Sequence, residues 1–151
     1  MKRWQRDQER QTRRGGDVST IGGRRWLFRW RSRTPDDKGF DELEDWQVDD
    51  WLDGYERNFA LNHPVQGTAA EIIGVALVYV GEALRHLPAC IVATVHDELV
   101  IDCAVDPQTV RAVRRILKAK MTRAWLEFLP DAPFRGVVDI TTGPCWGQQL
   151  E

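Results

Sequence analysis

The sequence predicts an α+β fold, a small antiparallel sheet with helices packed on one face, and three stretches carry that prediction. "AAEIIGVALVYVGEALRHL" has helical periodicity, and "CIVATVHDELVIDC" is two β-prone runs divided only by His96-Asp97. "DPQTVRAVRRILKAKMTRAWLEF" is a second amphipathic helix. At 151 residues the chain suits a single core or one piece of a larger protein.

Taken in order, the first sixteen residues fit a charged helix or a disordered arm, ended by Gly15-Gly16. "VSTIGGRRWLFRW" has β-prone ends around Gly22-Gly23 and fits a hairpin or an extended loop. A Pro/Asp/Gly loop follows, then a helix from about Asp41 with Leu43, Trp46, Val48 and Leu52 turned inward. In "NHPVQGTAAEIIGVALVYVGEALRHL", Pro64 suits the first helical position. Ala69, Ile72, Ile73, Ala76, Leu77, Val80, Leu84 and Leu87 form its core face, and Pro88 stops it. After the two strands, Asp106-Pro107 caps a helix with Val110, Val113, Leu117, Met121, Ala124 and Phe128 inward and Arg111, Arg114, Arg115 and Lys118 in water. "RGVVDITTG" reads as a last strand.

Composition narrows the function classes. No apolar run reaches the length of a membrane span, and the charged N-terminus has no apolar stretch behind it, so no membrane role and a cytoplasmic location are expected. Cys90, Cys103 and Cys145 are odd in number and lack C-x-x-C spacing, which favours reduced thiols over a disulfide or zinc framework. A net charge of -2 conceals an asymmetry: residues 1–34 carry a net +8 and residues 35–56 a net -9. The basic stretch fits a phosphate-binding surface, although charge alone favours a solvated arm that pairs with the acidic stretch beside it.

The turn His96-Asp97 is chemically odd. Two-residue hairpins favour Asn-Gly or Asp-Gly, because their turns need positive φ. A hairpin that gives up that chemistry to hold a carboxylate at its tip points to a carboxylate in use, most naturally on a divalent cation. Acidic residues are also common in ordinary turns, so "HDE" alone fits a plain structural reading. Counting outward from the closing pair Val95 and Glu98 makes Cys90 and Cys103 cross-strand partners, at a Cα separation of about 4.5 Å. The same register puts Val92, Leu99 and Ile101 on one face with both cysteines and leaves Asp97 at the exposed tip.

Taken with "NHPVQGTAAE" upstream, the hairpin resembles the carboxylate turn of the family A DNA polymerases, the group of bacterial DNA polymerase I and many phage replicases. Asn62, Pro64, Gln66, Gly67, Thr68, Ala69, Ala70 and Glu71 match that family's helix motif in order, and Val95, His96, Asp97 and Glu98 match its "VHDE" turn. "TIGGRRWLF" is similar to its Thr-x-x-Gly-Arg-Arg element, and "DITTGPCWGQ" to its closing Gly-x-x-Trp segment. The resemblance runs from about Val18 to the C-terminus. It implies a partial polymerase palm: a basic arm with the Gly-Arg-Arg element at 1–34, an acidic insertion at 35–56, and the C-terminal part of the palm at 57–151.

The resemblance also implies roles. Asp97 would bind catalytic magnesium, Glu98 would be an accessory carboxylate, and His96 would lie near the primer terminus. Asn62 and Gln66 would face the minor groove, where base acceptors recur at similar positions in every pair and amides can test pair geometry without reading sequence. Helix capping is the plainer alternative for these two. Arg24 and Arg25 would contact DNA phosphates. Phosphoryl transfer needs clustered carboxylates holding two cations. The sequence has no Asp-Tyr-Ser-x-x-Glu-like strand for the second aspartate and no fingers helix to grip a triphosphate. Met1 falls just beyond where such a helix would end. Three readings follow: a split or truncated DNA-directed DNA polymerase that takes primer-template DNA, and deoxynucleoside triphosphates only with a complementing second fragment; an inactive DNA-binding remnant; or an inert gene fragment.

Overall fold

The computed structural model describes residues 2–13, 16–26 and 54–148. The expected helix from Asp41 falls outside these residues. Helices and small antiparallel sheets make up the fold, as an α+β class requires, and the chain divides into two compact units, Met1–Thr68 and Ala69–Glu151.

In the first unit, α1 (Lys2–Arg13) takes the helical of the two forms open to the N-terminal stretch. Its last turn buries Thr12, whose hydroxyl donates back to the carbonyls of Gln8 and Glu9, each at 3.0 Å. The strands β1 (Val18–Ser19) and β2 (Arg25–Trp26) form a hairpin with Val18 opposite Trp26. Its turn is closed by Gly23 N–H donating to the Thr20 carbonyl at 3.1 Å, with Gly23 at φ +87, a conformation that glycine adopts without a Cβ penalty. The glycine of the Gly-Arg-Arg element is therefore a turn residue.

The helix α2 (Gly54–Leu84) spans 31 residues and holds Pro64 in its interior, not at its first turn as the sequence suggests. A proline there removes the bond that its N–H would make to Ala60, and the surrounding packing tolerates the loss: Ala60, Pro64 and Thr68 are all buried. Burial recurs at every fourth residue from Ala60 through Pro64, Thr68, Ile72, Ala76 and Val80 to Leu84. Ala69 and Leu77, expected in the core, lie off that stripe and are exposed. By length and composition Asn58–Leu84 could cross a bilayer, against the expectation from sequence. Its second half is a core helix, with Ile72, Ala76, Val80 and Leu84 closing on Leu99, Val113, Leu117 and Ala124.

In the second unit, β3 (Ala89–Val95) and β4 (Glu98–Cys103) form the expected hairpin, but its register differs from a plain outward count. Val95–Glu98, Thr94–Leu99 and Ala93–Val100 pair as counted; a bulge at Val92 then shifts the ladder, pairing Ile91 with Ile101, Cys90 with Asp102 and Ala89 with Cys103. An extra residue in one strand moves every later pair by one and so exchanges the faces of one strand relative to the other. Cys90 and Cys103 therefore lie on opposite faces: Cys103 packs against the core, and Cys90 is exposed, as is Val92 at 57 %.

The helix α3 (Pro107–Phe128) begins as expected, with the Asp106 carboxylate accepting from the N–H groups of Gln108 and Thr109 at 3.0 and 2.8 Å. Val113, Leu117 and Ala124 are its buried apolar residues, and Arg111, Arg114, Arg115 and Lys118 are exposed. Tyr79 of α2 donates its hydroxyl to Glu127 of α3 at 2.7 Å while the Arg123 guanidinium lies 4.4 Å from the Tyr79 ring centre. "RGVVDITTG" is not a strand. β-Prone residues form a strand only beside a partner edge, and this segment instead lays Ile140 on the core.

Candidate nucleic-acid interface and carboxylate turn

The first unit brings Arg24, Arg25, Asn62 and Gln66 into one body. Asn62 and Gln66 stand one turn apart on α2 and are both exposed. Asn62 is the ninth residue of its helix, which excludes the capping role for it and for Gln66. The β1–β2 hairpin docks on the neighbouring face of the same helix. Ile21 donates its N–H to the Thr68 hydroxyl at 3.0 Å, and that hydroxyl donates to the Pro64 carbonyl at 2.6 Å. Beside this bond the Thr20 side chain closes in on the helix backbone so far that a Cβ on Gly67 would stand 2.6 Å from its Cγ2. Trp26 lies against Phe59 and His63, with ring centres 5.2 and 4.9 Å away, and Phe59 stacks on His63 one turn along.

These contacts explain the helix motif in packing terms. Gly67 admits the hairpin, and Thr68 satisfies one of its backbone donors. The docked hairpin presents Arg24 and Arg25 to solvent. Arg25 is ion-paired with Asp17, so a phosphate would share or displace that carboxylate. Trp26 and Phe59 carry no role in the sequence reading, and Thr20 enters it only as the first residue of the matched Thr-x-x-Gly-Arg-Arg element. A ring pair at i and i+4, Phe59 and His63, was the available signal, but its third member is distant in sequence and only folding brings it near.

The second unit places Asp97 and Glu98, both exposed, at the tip of the β3–β4 hairpin. His96 sits at φ +54, the one non-glycine residue with positive φ among those described. Positive φ at the first central residue alone is the type II′ pattern, where glycine is the usual occupant. Histidine tolerates this region better than most residues, at a cost of about 1 kcal/mol or more. The strain holds the next residue, Asp97, at the apex of a two-strand ladder. Among the described residues, no three His, Cys, Asp or Glu side chains form a group that could hold a metal ion.

A model of DNA polymerase family A matches residues 1–148, nearly the whole chain. The chain belongs to that family. Among its relatives, DNA polymerase I of Caldicellulosiruptor bescii is 36% identical over 97 residues, which is 63% of this chain and 11% of the relative. DNA polymerase theta of Caenorhabditis elegans is 34% identical over 88 residues, 58% of this chain and 5% of the relative. The polymerase domain of Pol1 from M. smegmatis, solved in complex with DNA primer-template and dNTP, has a TM-score of 0.59 at 31% identity. That match covers 82% of this chain and 19% of the other. This family A chain thus spans about a tenth of the Caldicellulosiruptor bescii relative and shares its fold with part of a polymerase domain.

Family A polymerases are generally metal-dependent. Carboxylate oxygens at Asp97 and Glu98 are the right donors for magnesium, but two adjacent exposed carboxylates are too few for a two-metal centre, which requires ligands from several elements. The described residues alone do not fit that centre.

Proposed function

We propose that this chain supplies the C-terminal palm portion of a DNA-directed DNA polymerase and takes part in template-directed nucleotidyl transfer. Asp97 is a magnesium ligand, Glu98 an accessory carboxylate, and His96 a neighbour of the primer terminus. Asn62 and Gln66 test the minor groove of primer-template DNA, and Arg24 and Arg25 contact its phosphates. The second aspartate and the grip on deoxynucleoside triphosphates come from a complementing chain. The observation that carries this reading is the strained His96-Asp97 turn, which holds an exposed carboxylate at a rigid apex where ordinary turn chemistry would place glycine.

The test is primer extension with magnesium and all four triphosphates. The purified chain alone incorporates nothing; adding a polypeptide that carries the missing aspartate strand and fingers restores extension, and Asp97→Ala abolishes it while leaving the thermal midpoint within about a degree, as for an exposed turn residue. A reconstituted enzyme that extends at the wild-type rate with Asp97→Ala would reject the metal-ligand role.

A second reading, DNA binding without chemistry, is favoured by the first unit, which holds all four DNA-contact candidates in one compact body. In that case binding persists, and Arg24→Ala with Arg25→Ala flattens its salt dependence, but no complementing chain restores extension.

A further inference from the structure

We propose that Trp26 is a stacking platform for an unpaired nucleobase, so that the β1–β2 hairpin binds single-stranded DNA. This rests on the reading of the first unit as a DNA-binding surface and goes beyond the groove and phosphate contacts assigned above.

Trp26 is 45% exposed although it belongs to the docked hairpin. On one side it rests on Phe59 and His63, at ring-centre distances of 5.2 and 4.9 Å and interplanar angles of 53° and 50°. The hairpin that carries it is tied to α2 through Thr68. An indole pinned in this way loses little conformational freedom when a ligand settles on its open surface. Its neighbours in sequence, Arg24 and Arg25, are exposed, and their charge attracts a polyanion, in competition with Asp17 at Arg25.

An exposed indole surface amid arginines matches the chemistry of single strands, in which every base offers a π-face to an aromatic side chain. Bases within a duplex are already stacked on both sides and show only their edges. The two kinds of contact separate experimentally. Phosphate contacts set the slope of affinity against salt, whereas stacking changes affinity at every salt concentration alike.

The probe is a fluorescently labelled oligothymidylate, compared with an oligonucleotide of equal length and charge whose sites are abasic, titrated with the full chain at several salt concentrations. The wild type binds the thymidylate about ten-fold more tightly than the abasic strand, the value of one stacked base. Trp26→Leu brings that ratio close to one without changing the salt slope. Trp26→Phe, which keeps a ring on Phe59 and His63, gives an intermediate ratio and serves as the deciding variant if Trp26→Leu does not fold. Trp4→Leu, at another exposed tryptophan, leaves the ratio at its wild-type value. Arg24→Ala with Arg25→Ala lowers both affinities and the slope but keeps the ratio. A wild-type ratio of one with measurable binding, or a ratio unmoved by both Trp26 variants, overturns the platform. Failure of the wild type to bind either strand or a primed duplex overturns the DNA-binding reading beneath it as well.

Discussion

The Thr68 hydroxyl accepts the Ile21 backbone N–H at 3.0 Å and joins the hairpin turn to the helix that carries Asn62 and Gln66. Thr68 is 5% exposed while Ile21 is 61% exposed, so the bond is part-buried, with its acceptor side in the interior and its donor on a turn open to water. Thr68→Val keeps the volume and removes the acceptor, leaving the Ile21 N–H without its partner. Water reaches the freed donor on its exposed turn, so the expected cost is about 0.5–1.5 kcal/mol, the net worth of one hydrogen bond. Urea denaturation reads it as a lower midpoint with an unchanged slope, and Thr68→Ser recovers most of the loss.

Gly67 sets two effects against each other. Alanine in place of glycine within a helix stabilises by roughly 0.5–1 kcal/mol. Here the added Cβ would meet Cγ2 of Thr20 at 2.6 Å, and forcing such an overlap costs about 1–3 kcal/mol. Gly67→Ala should therefore destabilise on balance. Thr20→Ser deletes the offending methyl and keeps the hydroxyl that accepts the Arg24 N–H at 2.9 Å, so the double variant should be more stable than Gly67→Ala alone. A stabilising Gly67→Ala would show that the hairpin does not dock there.

The bulge at Val92 predicts thiol behaviour. Cys90 and Cys145 are exposed, whereas burial pushes the Cys103 thiol up, with Asp102 and Asp106 adding to the effect. The thiolate is the reacting form, so alkylation at neutral pH should label Cys90 and Cys145 quickly and Cys103 slowly. Oxidant should not join Cys90 to Cys103, because they face opposite sides of the hairpin. Peptide mapping after mild oxidation checks both statements; a Cys90–Cys103 crosslink would restore the unbulged register.

Asp106 makes α3 acid-sensitive. Hydrogen bonds from Thr109, and then from Gln108, hold its carboxyl below the ordinary 3.8. The folded chain therefore binds this proton less readily than the unfolded chain does. The stabilisation is fully present above the unfolded value and is lost as pH falls from there through the folded one. Asp106→Asn keeps an acceptor for the cap but cannot titrate. Its urea midpoint should thus fall less than that of the wild type as pH is lowered from 5 to 3.

Much of this protein was legible in the order of its residues. Periodicity marked the second half of α2, the Asp106 cap marked the start of α3, and the β-prone runs around His96-Asp97 marked β3 and β4, because each of these is decided by neighbours within a few residues. The matched motifs marked the family for the same reason. Tertiary structure alone decided the rest. Pro64 lies inside its helix because packing at Ala60 and Thr68 holds turns that local preference would not extend. "RGVVDITTG" is not a strand because a strand needs a partner edge. Cys90 and Cys103 part company because one unpaired valine shifts a ladder whose register no local pattern encodes. Gly67 and Thr68 carry a packing role, and Trp26 its ring neighbours, only once the chain has brought residues some forty positions apart into contact.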